Sequence, residues 1–398
     1  MTIRGREIKR SHILIGSAVL VGIAIILFFL LRGGDTTGGS AGEDDGSFFG
    51  FLFGGSSVSP KPLDNTATGD DTEQPEQYLF RITNEPVAGA TISSDGTSLR
   101  YFKKTTGHLF ENSFTGDKEQ RISNITTLAI LNAQWTPSKE YAIISYYTNG
   151  AVRRFYSHYS GTSTITSAVL PNDIIDITTS KTDEKIAYLV SSGAETMLLT
   201  ANPDNTGIKN VFSTPFPDFE LSWPVTNRIG LKTRSSAYAP SVLYTLNPST
   251  KQLTRVLDEK EGLDVLWSPD GTGFLSMKTS REGTNVALRV VSLQDNTAVD
   301  FPFVTLPEKC VWAPSKERVL YCAIPQQIPS GTHVPDEWWQ GSVSFDDALW
   351  RIYVDTGIRQ QLLSAYQLDA INLFTDKEES FLFFSNKKDG LLWSLRLR

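Results

Sequence analysis

Apolar and polar residues alternate with a period of two along most of the chain after residue 77. In the stretch LWSPDGTGFLSM, residues 266–277, two short apolar runs flank a Ser-Pro-Asp-Gly turn. Such a pattern predicts two β-strands joined by a tight hairpin. No long stretch of helical period occurs after Leu31. The pattern therefore predicts an all-β domain over residues 78–398.

The hairpin at residues 266–277 is one of seven related units. Aligning the units on the residue before the turn gives separations of 43, 44, 44, 44, 45 and 62 residues. The aligned residues are Ile92, Trp135, Thr179, Trp223, Trp267, Trp312 and Phe374. Each unit contains a second hairpin, so one repeat holds four short antiparallel strands, which we name a to d. This arithmetic predicts a seven-bladed β-propeller, or a six-bladed one if the weak fourth unit is not a blade.

The last unit ends after three strands, which would leave a blade with an unpaired edge. The stretch QYLFRITNEP before the first unit resembles the d strands KQLTRVLDEK and EQRISNIT. We therefore expect Tyr78 to Thr83 to complete blade seven from the other end of the chain. The aligned aromatic residues are expected to pack between blades, with ligand contact as the alternative; they are Trp135, Trp223, Trp267, Trp312 and Phe374.

The aligned turns also carry a family resemblance. The sequences WSPDG (267–271), WTPSK (135–139) and WAPSK (312–316) resemble the repeat of TolB-type β-propellers, and the likeness extends over residues 78–398. Units three, four and seven lack the Pro-Asp-Gly turn, although their spacing is kept. The resemblance implies a bacterial, WD40-like propeller, and it implies that b–c and d–a connections share one face, called the top.

The first 77 residues differ from the rest. Ile13 to Leu31 is a run of 19 uncharged, mostly apolar residues, nearly enough to cross a membrane as a helix. Basic residues precede it, so the positive-inside rule places residues 1–12 in the cytoplasm and residues 32–398 outside. A cleaved signal peptide is the alternative. Residues 32–77 are acidic and rich in Gly and Ser, which predicts a flexible linker. Within it, FFGFLFGG (48–55) is either simple tether or a contact with lipid or a partner.

The stretched spacing before the seventh unit locates an insert. Residues 324–347, IPQQIPSGTHVPDEWWQGSVSFDD, lie between strands b and c of blade six and should occupy the top face. The insert contains our candidate partner-binding residues, Trp338, Trp339, Asp336 and Phe345, because large aromatic side chains favour interfaces. The alternative is that the tryptophans fold down onto blade six.

Two cysteines flank the first hairpin of blade six. Strand pairing would set Cys310 and Cys322 opposite each other, within reach of a disulfide bond that persists outside the cytoplasm. Two separately buried thiols are the alternative.

The sequence contains little that indicates catalysis. It has no Gly-x-Ser-x-Gly elbow, P-loop or dinucleotide fingerprint, and its four histidines do not have the spacing of a local metal motif. We therefore expect neither a cofactor nor a metal. A net charge of −7 argues against a nucleic-acid partner.

These observations predict a membrane-anchored, extracytoplasmic binding scaffold or receptor with a protein or peptide partner; the oligomeric state is left open. The alternatives are an enzyme that acts on a glycan or peptide in the top cavity, and a purely structural envelope component.

Overall fold

The computed structural model describes residues 78–160, 164–315 and 318–397. Within these ranges the chain forms seven antiparallel sheets of four strands each, and the fold is a seven-bladed β-propeller. The predicted all-β class and blade number are confirmed, including the weak fourth blade. The predicted tail (1–12), transmembrane helix (13–31) and linker (32–77) lie outside the described residues. Among the described residues, none of the helices has the length and apolar character needed to cross a membrane.

The first four blades follow one another along the chain. Blade one holds β2 (Val87–Ile92), β3 (Leu99–Lys103), β4 (Leu109–Asn112) and β5 (Gln120–Arg121). Blade two holds β6 (Ile130–Trp135), β7 (Tyr141–Thr148), β8 (Ala151–Ser160) and β9 (Thr164–Val169). Blade three holds β10 (Ile174–Thr179), β11 (Ile186–Ser192), β12 (Glu195–Ala201) and β13 (Lys209–Thr214). Blade four holds β14 (Phe219–Val225), β15 (Arg228–Thr233), β16 (Pro240–Leu246) and β17 (Leu253–Glu261).

The last three blades contain the short helical segments. Blade five holds β18 (Asp264–Trp267), β19 (Gly273–Lys278), β20 (Ala287–Ser292) and β21 (Thr297–Asp300). Blade six holds β22 (Cys310–Trp312), β23 (Val319–Pro325), β24 (Asp347–Tyr353) and β25 (Arg359–Tyr366). Blade seven holds β26 (Ala370–Thr375), β27 (Phe381–Asn386), β28 (Leu392–Arg396) and β1 (Leu79–Arg81). One-turn helix α1 is Asp336–Trp339, and 3-10 turns lie at Arg281–Gly283 and Pro307–Lys309.

The predicted closing strand is confirmed. Strand β1 pairs with β28, with Leu79 opposite Leu395 and Arg81 opposite Trp393. The amide of Ile82 continues the ladder by donating to the carbonyl of Leu392 at 2.8 Å. Blade seven therefore gains its outer strand from residues that precede blade one, which joins the two ends of the ring.

Strand a lies innermost in each blade. The a strands of blades one and two contact each other, and so do those of blades three and four and of blades six and seven. Since strands alternate in direction, the a–b and c–d turns lie on one face, which we call the bottom. The b–c and d–a connections lie on the opposite face, the top.

The a–b turn of blade one shows why the repeated motif specifies a hairpin. The hydroxyl of Ser93 donates to Asp95 Oδ1 at 2.6 Å, and the amide of Thr97 donates to the same oxygen at 3.1 Å. These hydrogen bonds lower the pKa of Asp95. The turn of blade five repeats both bonds with Ser268, Asp270 and Thr272. Aspartate in these turns is therefore structural.

The predicted packing of the aligned aromatic residues between blades is confirmed at two positions by hydrogen bonds. Trp135 Nε1 donates to the carbonyl of Gly89 in blade one at 2.7 Å, and Trp312 Nε1 donates to Leu266 in blade five at 3.2 Å. The Trp135 ring also stacks on Phe102 of blade one, with centroids 5.8 Å apart. Each indole thus fixes its blade against the preceding one.

Candidate functional site

The insert of blade six crosses the top face, as its position in the chain predicts. On blade four, Asp336 of α1 accepts hydrogen bonds from the Ser236 hydroxyl at 3.0 Å and the Ala237 amide at 2.6 Å. On blade five, the Nδ1 atom of His333 lies 2.6 Å from the carbonyl oxygen of Glu282. Side chains of blade seven, described below, hold its other end. The insert therefore spans the top of blades four to seven.

A fully buried ion cluster holds the insert to blades six and seven. Lys309 Nζ lies 2.7 Å from Asp347 Oδ2 and 2.5 Å from Asp369 Oδ1, and all three side chains have no exposed surface. Trp338 Nε1 donates to Asp369 Oδ2 at 3.0 Å, and the amide of Phe345 donates to the same oxygen at 3.0 Å. Burial raises the pKa of Asp347 to about 6 against the opposing effect of Lys309.

Cations enclose the aromatic part of this cluster. Lys309 Nζ lies 5.3 Å from the centroid of the Trp338 ring, and Lys387 Nζ lies 4.8 Å from it. Lys387 also donates to the carbonyl of Trp338 at 2.6 Å. The Phe345 ring is parallel to that of Trp338, with centroids 6.4 Å apart. Lys309, Trp338 and Phe345 are fully buried, which strengthens the cation–π contact between Lys309 and Trp338, whereas Lys387 is partly buried.

This arrangement corrects the prediction that four insert residues are available to a partner. Trp338 is 1% exposed and Phe345 is 2% exposed, because both cover the Lys309 cluster. Asp336 is occupied by blade four, as described above. Trp339 is half-buried, and its Nε1 donates to Glu308 Oε1 at 3.0 Å. The structure therefore places the tryptophans in the alternative position, folded down onto the propeller.

Next to this cluster, Cys310 and Cys322 form a disulfide bond between β22 and β23. They face each other directly in the strand register, with their Cα atoms 4.1 Å apart. Both residues are buried. The bond ties the first two strands of blade six together immediately after Lys309.

Three carboxylates and one lysine meet beside the insert at the upper mouth of the channel. Lys232 Nζ lies 2.6 Å from Glu220 Oε2 and 3.3 Å from Asp264 Oδ1. Burial raises the pKa of Asp264, although Lys232 opposes this shift. Glu308 keeps contact with solvent, but the surrounding protein and the Asp264 charge raise its pKa to about 7. Lys232 is therefore the one cation of a partly desolvated group that contains three carboxyl groups, those of Glu220, Asp264 and Glu308.

The part of the top face that the insert leaves open carries exposed apolar side chains. We call this set the apolar crescent; its members lie at the upper ends of blades one and two and are Ile125, Leu128, Leu131, Tyr147, Val152 and Val169. Leu128 is 64% exposed and Val169 is 65% exposed. With Tyr147 and Phe155 they line a shallow hollow of about 310 Å³. Clustered exposure of this kind marks interaction surfaces, whereas single exposed apolar residues do not.

Neither the crescent nor the group of three carboxylates is indicated by the sequence pattern. The crescent residues belong to five different strands and connections, and apolar residues in strands are expected to be buried. The carboxylates lie on different blades, so no local spacing links them. The one feature of the sequence that pointed to the carboxylate group was the position of Glu308 in a d–a connection, because these connections lie on the top face.

No protein-family model and no curated protein matches this sequence. Among solved structures, the tricorn protease matches with a TM-score of 0.52 and 10% identity, over 82% of this chain and 34% of that one. This chain thus spans about a third of the tricorn protease. Oligogalacturonate lyase from Vibrio parahaemolyticus matches with a TM-score of 0.55 and 8% identity, over 80% of this chain and 93% of the lyase.

A second oligogalacturonate lyase structure, in complex with manganese, gives a TM-score of 0.55 at 9% identity and covers 82% of this chain and 96% of that one. In the part of the chain that the structure describes, no group of three or more His, Cys, Asp and Glu side chains is arranged to hold a metal ion. At these identities the likeness shows the fold alone: this chain shares a β-propeller fold with a protease and a lyase.

Proposed function

We propose that the protein is a membrane-anchored, extracytoplasmic binding protein of the TolB-like kind, which holds a protein or peptide partner on the apolar crescent. The observation that carries the proposal is the exposure of Leu128, Tyr147 and Val169 around one hollow on the open half of the top face. Exposure of apolar surface to water is unfavourable, so a partner that buries this surface against its own apolar side chains would gain binding free energy. The fixed insert limits access to the other half.

Two further observations support the proposed location. The apolar run 13–31 with its preceding basic residues favours an anchor whose C-terminal side is outside the cytoplasm. The buried disulfide between Cys310 and Cys322 is a bond that oxidising compartments preserve and the cytosol reduces. We therefore propose the outer side of the cell membrane as the site of action.

A single engineered thiol tests both the surface and the location. The chain's two natural cysteines are bonded to each other, so V169C supplies the one free thiol. We expect a membrane-impermeant thiol crosslinker, added to intact spheroplasts, to join V169C to its partner. L128E in the same chain should reduce the adduct about tenfold, because a buried charge disrupts an apolar contact. Surface changes of this kind should leave melting within about 2 °C.

The matched control is I208C on the bottom face, where Ile208 is 51% exposed. It should react with an impermeant maleimide but give no partner adduct. Failure of both thiols to react would contradict the proposed location. Equal amounts of partner adduct from V169C and I208C would contradict the crescent as the partner-binding surface. So would the absence of an adduct from V169C that reacts with the maleimide. Either result would favour a structural role for the protein in the envelope.

An enzyme that acts on a glycan or peptide is the second candidate, and one observation favours it. Glu308, with its pKa raised to about 7, is half-protonated at neutral pH beside Glu220 and Asp264. A carboxyl group in that state can donate a proton to a leaving group.

Turnover of pectic oligogalacturonates and of fluorogenic peptides tests this candidate. If Glu308 is the acid, E308Q should reduce turnover at least about 100-fold. Wild-type turnover should fall as pH rises above about 7, since the acid form is then lost. E259Q removes a matched carboxylate on the outer strand β17 and should have no effect. Absence of turnover in the wild type, or full activity of E308Q, would exclude this role for Glu308.

A further inference from the structure

Strand β9, the outer strand of blade two, differs in composition from the outer strands of the other six blades. It has the sequence TITSAV and contains no charged residue, and neither does the whole stretch 161–172. Charged residues on edge strands oppose pairing with other chains. Each of the other outer strands contains at least one; among these charged residues are Arg81, Arg121, Lys209, Arg255, Asp300 and Arg359.

The backbone of β9 is also more regular than that of the other outer strands. Its pairing with β8 runs without a shift in register from Thr164, opposite Ser160, to Val169, opposite Phe155. The outer strands β13, β17 and β25 each pair through at least one register shift. Strands β1, β5 and β21 have four residues or fewer. Among the outer strands that the structure describes, β9 alone is therefore long, regular and uncharged.

One side of the β9 main chain is available to a further strand. The amide of Leu170, directly after β9, donates to the carbonyl of Arg154 in β8 at 2.9 Å. Because hydrogen bonding alternates along antiparallel strands, the residues two, four and six positions before Leu170 also bond to β8. Residues 166–169 are exposed to solvent. The residues between the bonded ones direct their N–H and C=O groups outward; they are Ile165, Ser167 and Val169.

The upper end of this free edge belongs to the apolar crescent. Val169 is the last residue of β9, and it lines the hollow together with Leu128 from the connection between blades one and two. Ile165 lies on the same face of the strand and packs against the apolar cluster shared by these two blades. Side chains of paired residues point to the same face of a sheet, so a strand added beside β9 would direct every second side chain towards the hollow.

We propose that an extended segment of the partner adds to β9 as a fifth strand of blade two. Its main chain pairs with Ile165, Ser167 and Val169, and its alternate apolar side chains enter the hollow. This inference rests on the proposed function and specifies the partner's chemistry: an uncharged segment of about five residues with apolar side chains at every second position.

A second copy of this chain fits the edge less well than a partner segment does. Two copies paired antiparallel through β9 would set Val169 of each copy beside the lower end of the other strand. Both crescents would then stay exposed. An extended segment of a partner covers the edge and the crescent together, and it is therefore the occupant that we assign.

Crosslinking through V169C tests the edge separately from the crescent. In that chain S167P removes an outward N–H but no main-chain bond to β8, so we expect the partner adduct in intact spheroplasts to fall about tenfold or more. The matched control is A298P on the outer strand β21. The Phe301 amide donates to Leu288 at 2.9 Å, so by the same alternation the N–H of the exposed Ala298 points outward. A298P should leave the adduct unchanged, and both variants should melt within about 3 °C of the parent chain.

The outcomes separate this inference from the proposed function. If V169C forms the adduct and L128E weakens it but S167P does not, the crescent binds the partner and the strand addition is wrong. Absence of any adduct from V169C would overturn both. An adduct between two copies of this chain would overturn the assignment to a partner segment.

A peptide measurement identifies the strand addition directly. Mass spectrometry of the V169C adduct gives the crosslinked segment, and a synthetic peptide with that sequence is the probe. We expect saturable binding to the full-length chain in micelles with uncharged head groups. Methylation of single peptide nitrogens should weaken binding about tenfold at every second residue, where the N–H faces β9, and little at the residues between them. Equal effects at neighbouring positions, or no effect at any position, would contradict strand addition.

Discussion

Removal of residues 78–84 is expected to destabilise the propeller strongly. Without β1, the ladder edge of β28 is exposed, and Ile82, which is 4% exposed, loses its place among Leu99, Tyr101 and Phe383. Lost apolar burial and lost hydrogen bonds together amount to several kcal/mol, which corresponds to a fall in melting temperature of about 10 °C or more. The open edge should also promote aggregation.

A chain that starts at Tyr78 is the control, and it should melt like one that starts further upstream. Addition of a synthetic peptide with the sequence of residues 77–84 should partly restore the melting temperature of the shortened chain, because it binds the folded form. Equal melting of the chains that start at Tyr78 and at Glu85 would contradict the closing role of β1.

The fold was predictable because its determinants are local and repeated. The a–b turns around Asp95 and Asp270 form from hydrogen bonds within five residues, so the local sequence indicates them. The units that lack this turn are indicated by their regular spacing. The closing strand followed from the same logic, because seven repeats left one strand missing and one spare. The pattern was least informative for the outer strand of blade one, where β5 is only two residues long.

The candidate site was less predictable because its determinants lie far apart. The sequence located the insert and its aromatic residues, but their burial depends on Lys309 and Asp369, 60 residues apart in the chain. From its position before strand a, Lys309 is expected on the surface; its burial is explained only by its two carboxylate partners, Asp347 and Asp369. The crescent was not predicted because apolar residues in and beside strands are expected to be buried, whereas Leu128 and Val169 are exposed.

The insert therefore has a different role from the one that its aromatic residues indicated. It closes one half of the top face and so defines the open half, where the crescent lies. The ion cluster of Lys309, Asp347 and Asp369 lies beneath the insert. Loss of its ion pairs should release the insert from the propeller without changing the crescent, so this cluster is the place to test whether the insert covers one half of the top face.

Replacement of Lys309 by methionine is expected to destabilise the propeller by about 3–5 kcal/mol, since Asp347 and Asp369 then remain buried without their cation. Chemical denaturation monitored by tryptophan fluorescence measures the change. K388M, which breaks the partly exposed pair with Asp346, is the matched control and should cost less than about 1 kcal/mol. K309M/D347L, with one carboxylate also removed, should recover part of the loss.

The pH dependence of this loss distinguishes a buried charge from a simple packing defect. Because the pKa of folded Asp347 is raised to about 6, above its unfolded value, protonation stabilises the folded state as pH falls below about 6. Without Lys309 that pKa should rise further, so the K309M defect should be largest above pH 7 and smaller at pH 5. A defect of the same size at both pH values would show that Lys309 acts through packing, and a K309M protein as stable as K388M would show that the cluster does not hold the insert.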